Sequence, residues 1–279
     1  REKQHNRGQE GAGLGCIKFH SKPGNEFVFR ERGLGSSAIQ DIFASVKKDV
    51  EASEVNGCDT FDLPFVGELY MGHLRYSTTG KSGISYVHPF LRRNNWRVRN
   101  MLLCGNFNMT NVDEIFDKVV SDGQHPRILA DTVLLLEQLG HKLDNEVQKL
   151  YNKYKTELKI DGKELTEKIE DTIQVKNILH NSSERWDGGF VICGALGCGD
   201  MFVLRDAHGI RPAFYYYDDE VVVVASERPV IQTTFNVRIS DVKELRPGSA
   251  ITVSKAGKIE ITDVLGEKEN QRCSFERIY

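Results

Sequence analysis

A chain of 279 residues, 39% hydrophobic and 28% charged, is long enough for one large domain or two small ones with a real core, so it is no mini-protein in need of staples. Its 37 Lys and Arg against 40 Asp and Glu leave a formal charge of −3, and with no basic excess to draw it onto phosphate backbones, nucleic acid is not expected as a partner. Apolar runs such as Val221 to Ala225 fall far short of the roughly 20 residues a membrane helix needs, so a soluble protein with no membrane partner is expected.

Periodicity organises the chain. Gly11 to Lys18 and Glu26 to Arg30 read as short strands, and Ser36 or Ser37 as the cap of an amphipathic helix through about Val50. Leu69 to Tyr76 reads as a strand ending in the polar turn Ser77-Thr78-Thr79-Gly80, and Met101 to Cys104 as another short strand. Thr110 or Asn111 caps a helix ending near Asp122, and a further helix starts at about Ala130. From Asp144 to Arg185 the composition is rich in Lys and Glu, with Val147, Leu150, Tyr154, Leu158, Leu165, Ile169 and Ile173 at helical spacing, which predicts solvated amphipathic helices on one side of a sheet. Beyond Trp186 the pattern is β: Gly189 to Gly194, Asp200 to Arg205, Ala213 to Tyr217, Val221 to Ala225, Val237 to Lys243, Ser249 to Ser254 and Lys258 to Asp263, with Asp218-Asp219 as a hairpin turn. Strands bracketing a block of helices predict a layered α+β domain.

Three segments carry chemistry. Period-two alternation puts Met71, His73 and Arg75 on one strand face, where the planar fork of Arg75 can meet a carboxylate and the following hydroxyls can add hydrogen bonds; a plain surface arginine is the simpler alternative. In Gly105-Asn-Phe-Asn-Met-Thr-Asn111, capping explains Thr110 and Asn111 but not Asn106 and Asn108, whose amides could hold a developing oxyanion. Asp131, at the start of a helix, is favoured there by the dipole and could also partner an ammonium. Asp206 and His208 lack a third ligand at metal spacing, and the acids at 218–220 lack the glycine-rich turn of a phosphate loop. Six cysteines are too sparse for a disulfide framework, which predicts a reducing, cytoplasmic setting, and none is spaced as Cys-x-x-Cys, which weakens zinc or redox readings; Cys193 and Cys198 read as small buried thiols in a strand.

Taken in order, Asn6-Arg-Gly-Gln-Glu-Gly-Ala-Gly13, Gly72-His-Leu-Arg-Tyr-Ser-Thr-Thr-Gly80, His88-Pro-Phe90, Asn106 to Asn111, Asp131, Arg205 to Pro212, Ala225-Ser-Glu227 and Leu245-Arg-Pro-Gly248 resemble the glutaminase domain of the amidophosphoribosyltransferase family, a group of class II glutamine amidotransferases. The resemblance implies an N-terminal-nucleophile hydrolase fold, a four-layer αββα sandwich, over a single domain 1–279. The helical block 144–185 would be an insertion, and 272–279 the junction to a C-terminal phosphoribosyltransferase domain. It implies glutamine hydrolysis to glutamate and ammonia, for transfer to phosphoribosyl pyrophosphate in purine biosynthesis. Arg75 would bind the glutamine carboxylate and Asp131 its ammonium, with Thr78 nearby, while Asn106 and the backbone N–H of Phe107 would form the oxyanion hole.

The family's nucleophile is an N-terminal cysteine whose own α-amino group is the base. Here the sequence opens on Arg1 without a Met, so that cysteine is expected upstream, and residues 1–279 alone are expected not to hydrolyse glutamine. The family usually carries glycine where this chain has Phe107, which is harmless only if the backbone there does not need a positive φ. No cofactor or metal is expected within this chain; an iron–sulfur cluster or magnesium belongs to the full-length enzyme, with Cys273 as one cluster ligand or, more simply, a core cysteine. A homo-oligomer is expected. The alternatives are a degenerate glutaminase-like domain that binds a small amino acid or acts as a scaffold without turnover, and a related amidotransferase with another acceptor.

Overall fold

The structure is a computed structural model that describes residues 10–76 and 83–274. Thr78, the whole of Asn6-Arg-Gly-Gln and positions 275–279 lie outside the described residues. The chain divides into two compact units, Arg1–Cys104 with Ala195–Gly199, and Gly105–Gly194 with Asp200–Tyr279.

In the first unit β1 (Gly11–Ile17) is the centre of a three-stranded antiparallel sheet, between β2 (Val28–Leu34) and β3 (Leu69–Arg75). Helix α1 (Ala38–Val55) covers one face, burying Ala38 and Ile42 against Ala12, Leu14 and Leu74. Ser37 stands at its N-cap as the sequence predicts, with its hydroxyl on the Asp41 carboxylate at 2.7 Å. The register puts Arg30, Arg32, Met71, His73 and Arg75 on the opposite face, in rows with Gly11, Gly13 and Gly15. A short strand β4 (Phe90–Arg92) pairs with Met101–Leu103 at the start of β5 (Met101–Met109).

The second unit holds the rest of β5, then α2 (Val112–Ser121), α3 (Asp131–Asn152), α4 (Gly162–Thr172), α5 (Val175–Ser183), β6 (Gly188–Leu196, all but its last two residues), β7 (Met201–Arg205), β8 (Phe214–Tyr217), β9 (Val222–Ala225), α6 (Arg228–Phe235), β10 (Lys243–Glu244), β11 (Ser249–Val253) and β12 (Ile259–Asp263). Strands β12-β11-β7-β6-β5 run side by side, and β10-β8-β9 form a smaller sheet. Between the two sheets Val191, Val203, Ala213, Tyr215, Leu245 and Ile251 form a closed apolar layer. On the helical side Trp186 donates its indole N–H to Gln138 of α3 at 2.6 Å and meets Phe190 edge to face, so the polar tip of a buried ring is satisfied.

Most predicted elements are present, and the Asp218-Asp219 turn joins β8 to β9 with the Asp218 carboxylate accepting from the N–H groups of Glu220 and Val221. Two readings need correction. The strand expected over Val237 to Lys243 is instead a short turn at Ile239–Asp241 followed by the two residues of β10, and α6 stands just before it, where no element was expected. Pro229 starts that helix and Asn236, at φ 52°, ends it, punctuation that the β-branched Val230, Thr233 and Thr234 disguise. The strand expected to stop at Cys104 continues to Met109, so Asn106 and Phe107 sit on a strand and not in a loop. Helix α3 runs through Asp144 unbroken; Val147, Tyr154, Leu165, Ile169 and Ile173 are buried as their spacing predicts, whereas Leu158 is exposed.

Candidate active site

In the first unit the described candidate site residue is Arg75, at the end of β3. Its surroundings follow from the glycines of β1. A Cβ on Gly13 would lie 1.6 Å from the His88 carbonyl oxygen, and one on Gly15 would lie 3.2 Å from Pro89 Cγ. Alternate glycines therefore open a furrow along the sheet face, and the Tyr86–Pro89 segment lies in it. Arginines on both flanking strands fasten the segment by its backbone. Arg32 donates to the Val87 carbonyl at 2.9 Å, and Arg30 reaches the Pro89 carbonyl at 3.5 Å. From the other side Arg75 donates to the Tyr86 carbonyl, and its guanidinium lies 5.6 Å from the centre of the Tyr86 ring.

His73 and His88 stack across the furrow, ring centres 4.3 Å apart and 19° from parallel, with the edge of Phe90 against His88 at 5.1 Å. Burial, then the neighbouring His73, Arg75 and Arg32, hold His88 well below the usual histidine range, so it is neutral at ordinary pH. Burial likewise lowers Arg30, with Arg32 and Arg93 adding like-charge repulsion, to about 10.

In the second unit β5 alternates: Asn106 and Asn108 are exposed on one face, while Phe107 is half-buried and Met109 buried on the other. A Cβ on Gly105 would lie 2.8 Å from the Phe107 ring, so that ring folds over the glycine two residues earlier. Phe107 keeps ordinary strand backbone, since the non-glycine residues with positive φ are Phe65, Lys159 and Asn236 among those described. The end of the strand is tied down: Thr110 N–H donates to the Asp187 carbonyl at 3.0 Å and Asn111 Nδ2 to the Arg185 carbonyl at 2.7 Å. Asp131 is half-buried in the first turn of α3, its carboxylate accepting from Thr132 N–H at 3.0 Å, where the helix dipole favours a negative charge.

The remaining polar motifs have structural partners. The buried Asp206 carboxylate accepts from the N–H groups of Phe190, His208, Ile210 and Arg211, which closes the turn after β7. Arg205, 1% exposed, donates to Glu244 and to the carbonyls of Gly209, Arg211 and Leu245. Among the described residues no three His, Cys, Asp or Glu side chains are grouped to hold a metal ion, and Cys273 is a half-buried single thiol. Burial pushes the Cys16 thiol up to about 12; Cys198 is buried in the turn after β6, and Cys193 half-buried within that strand. No described helix is long and apolar enough to cross a membrane.

The family profile of glutamine amidotransferases class-II matches residues 91–276, more than half of the sequence. The chain belongs to the class-II glutamine amidotransferases. Amidophosphoribosyltransferases of Pasteurella multocida and Escherichia coli are each 26% identical to it, over 282 and 283 residues, covering 99% of this chain and 46% of theirs. Among solved structures, glutamine phosphoribosylpyrophosphate amidotransferase from B. subtilis, complexed with ADP and GMP, aligns with a TM-score of 0.63 at 23% identity, covering 99% of this chain and 48% of its own. A second, described as the allosteric regulatory enzyme of purine biosynthesis, gives 0.65 at 22% identity. This class-II chain thus has the α+β, N-terminal-nucleophile hydrolase fold that the sequence predicts, and spans about half the length of the relatives it matches.

The sequence nominates Arg75, Asn106, Phe107 and Asp131 as site residues, but not the setting the structure gives Arg75. His73 was visible as its neighbour on the same face; the glycine alternation of Gly11, Gly13 and Gly15 was the signal for a furrow, and it went unread.

Proposed function

We propose that this chain is the glutamine-hydrolysing part of an amidophosphoribosyltransferase, releasing ammonia for transfer to phosphoribosyl pyrophosphate in purine biosynthesis. The observation that carries this reading is the end-to-end match: 99% of the chain aligns with just under half of proteins of that name. The reading extends to full-length partners, namely a C-terminal phosphoribosyltransferase domain and further copies of the chain, and to a cytoplasmic setting. Magnesium or an iron–sulfur cluster would belong to the full-length enzyme.

The chemistry assigned to each residue suits its type. The fork of Arg75 pairs with the glutamine α-carboxylate and Asp131 with the α-ammonium, with Thr78 as a further donor. A cysteine thiolate adds to the side-chain carboxamide carbon, and the oxyanion that forms is held by the Asn106 amide and the Phe107 N–H. Collapse of the intermediate expels ammonia and leaves a thioester, which water cleaves to glutamate. That nucleophile needs a free α-amino group as its base. Cys16, Cys104 and Cys198 are buried, and every cysteine in the sequence is bonded at its nitrogen, so the reading places the nucleophile at the N-terminus of the longer protein. On this reading residues 1–279 alone do not turn glutamine over.

The test is glutamate release by the natural full-length protein, with and without phosphoribosyl pyrophosphate. Glutamate above the uncatalysed background, with phosphoribosyl pyrophosphate consumed, is expected. Glutamine binding without glutamate, in a protein with a free N-terminal cysteine, would make it a ligand-binding domain. Glutamate release with phosphoribosyl pyrophosphate untouched would assign another acceptor.

A further inference from the structure

We propose that His88 is a positioning residue for Arg75: seated in the furrow of β1 and stacked on His73, it fixes the segment whose Tyr86 carbonyl and ring hold the guanidinium that receives the ligand carboxylate. The proposal rests on the glutamine reading above. Three contacts carry it. The His88 carbonyl occupies the space a Gly13 Cβ would take, so the segment has one seat on the sheet. The His73–His88 stack, at 4.3 Å, joins that segment to the same face of β3 that carries Arg75. Two residues before His88, Tyr86 takes a hydrogen bond from Arg75 through its carbonyl and lies under the guanidinium with its ring.

A bidentate bond to a carboxylate requires the plane of the guanidinium to be set beforehand, and one N–H committed to a fixed carbonyl sets it. The choice of imidazole also has a physical reason. The groups facing His88 are His73 and Arg75 of β3 and Arg32 of β2, with Phe90 on its own segment. A flat neutral ring packs there without adding a third cation beside Arg75 and Arg32. A lysine or arginine could not.

The experiment is steady-state glutamine hydrolysis by the full-length protein carrying His88→Ala or His88→Phe, each with Arg75 intact and with Arg75→Ala. With Arg75 intact, His88→Ala should raise KM for glutamine about 5- to 20-fold and leave kcat within about twofold, as loss of ground-state binding does. His88→Phe, which keeps a flat neutral ring, should stay within about threefold of wild-type KM. In the Arg75→Ala background His88→Ala should add less than about twofold, because the group it positions is gone. If His88→Ala does not fold, Tyr86→Ala supplies the same comparison, with a KM rise that likewise vanishes without Arg75. An unchanged KM in folded His88→Ala, or an equal rise in both backgrounds, overturns the positioning role while glutamine hydrolysis stands. A wild-type protein that turns over no glutamine overturns the glutamine reading, and the positioning role with it.

Discussion

Arg75 and Asp131 carry opposite charges that suit the two ends of an amino acid, and each removal has a calculable cost. On the glutamine reading, alanine at either position loses a charge-assisted hydrogen bond and leaves a ligand charge unpaired, which should cost on the order of 1.5 to 3 kcal/mol, about 10- to 150-fold in glutamine affinity. Calorimetry with glutamine or an unreactive analogue measures this, and wild-type affinity in both variants would remove them from the site. His88 gives a stability signature. Its pKa in the folded protein lies below the ordinary 6.5, so the unfolded chain binds a proton first as pH falls. Its contribution to stability is therefore complete above pH 6.5 and is lost as pH drops from there towards the folded value. Thermal unfolding of the full-length protein should show less loss between about pH 7.5 and about pH 5 in His88→Phe than in wild type; equal losses would show that His88 is not held neutral. Thiol labelling near pH 8 should modify the exposed Cys58 and spare Cys16, whose thiol titrates at about 12. Fast modification of Cys16 in the native protein would contradict its burial. Arg75 itself was legible in the sequence as a strand-end cation before a run of hydroxyls. Its hold on the Tyr86 carbonyl was not, because a backbone acceptor leaves no mark in side-chain composition.

At the scale of elements, strand alternation and helix starts were the most readable signals, and a short helix rich in β-branched residues the least. The alternation of β3 placed His73 and Arg75 together, and the N-terminal caps of α1, α2 and α3 fell within a residue or two of expectation, whereas α1 runs on to Val55 past its expected end near Val50. Helix α6 was hidden because its eight residues include several β-branched side chains and bury only Ile231. Strand β5 was cut short because Gly105 and the asparagines have low strand preference, which cross-strand hydrogen bonding and the Phe107 ring over Gly105 override. Two substitutions test these elements. Gly13→Ala puts a methyl group into the His88 carbonyl and should cost at least about 3 kcal/mol or prevent folding; a near-neutral effect on thermal unfolding would mean that no furrow exists. Phe107→Gly uncovers Gly105 and should cost about 1–3 kcal/mol in stability, while glutamine turnover stays within about tenfold of wild type, equivalent to about 1.4 kcal/mol. Phe107 has no positive φ to relieve. A large gain in turnover would mean that the phenylalanine obstructs the oxyanion site.

For the whole molecule, eight motifs in order identified the family, and their order carried more information than any one of them. What lay beyond the sequence was the packing partner of each motif: the Arg205–Pro212 segment proved to be a turn built around a buried carboxylate and a buried arginine, with no part in the proposed chemistry. The chain spans about half the length of its relatives, and on the proposed reading the activity is measured in the full-length protein. The most direct measurement is the steady-state rate of glutamate formation by that protein with Asn106→Ala. If the Asn106 amide holds the oxyanion, kcat should fall about 10²- to 10³-fold, roughly 2.7–4 kcal/mol, while KM for glutamine changes little, since Arg75 and Asp131 still bind the amino acid. An unchanged kcat in Asn106→Ala, beside an active wild type, would contradict the assignment of this strand to the chemistry.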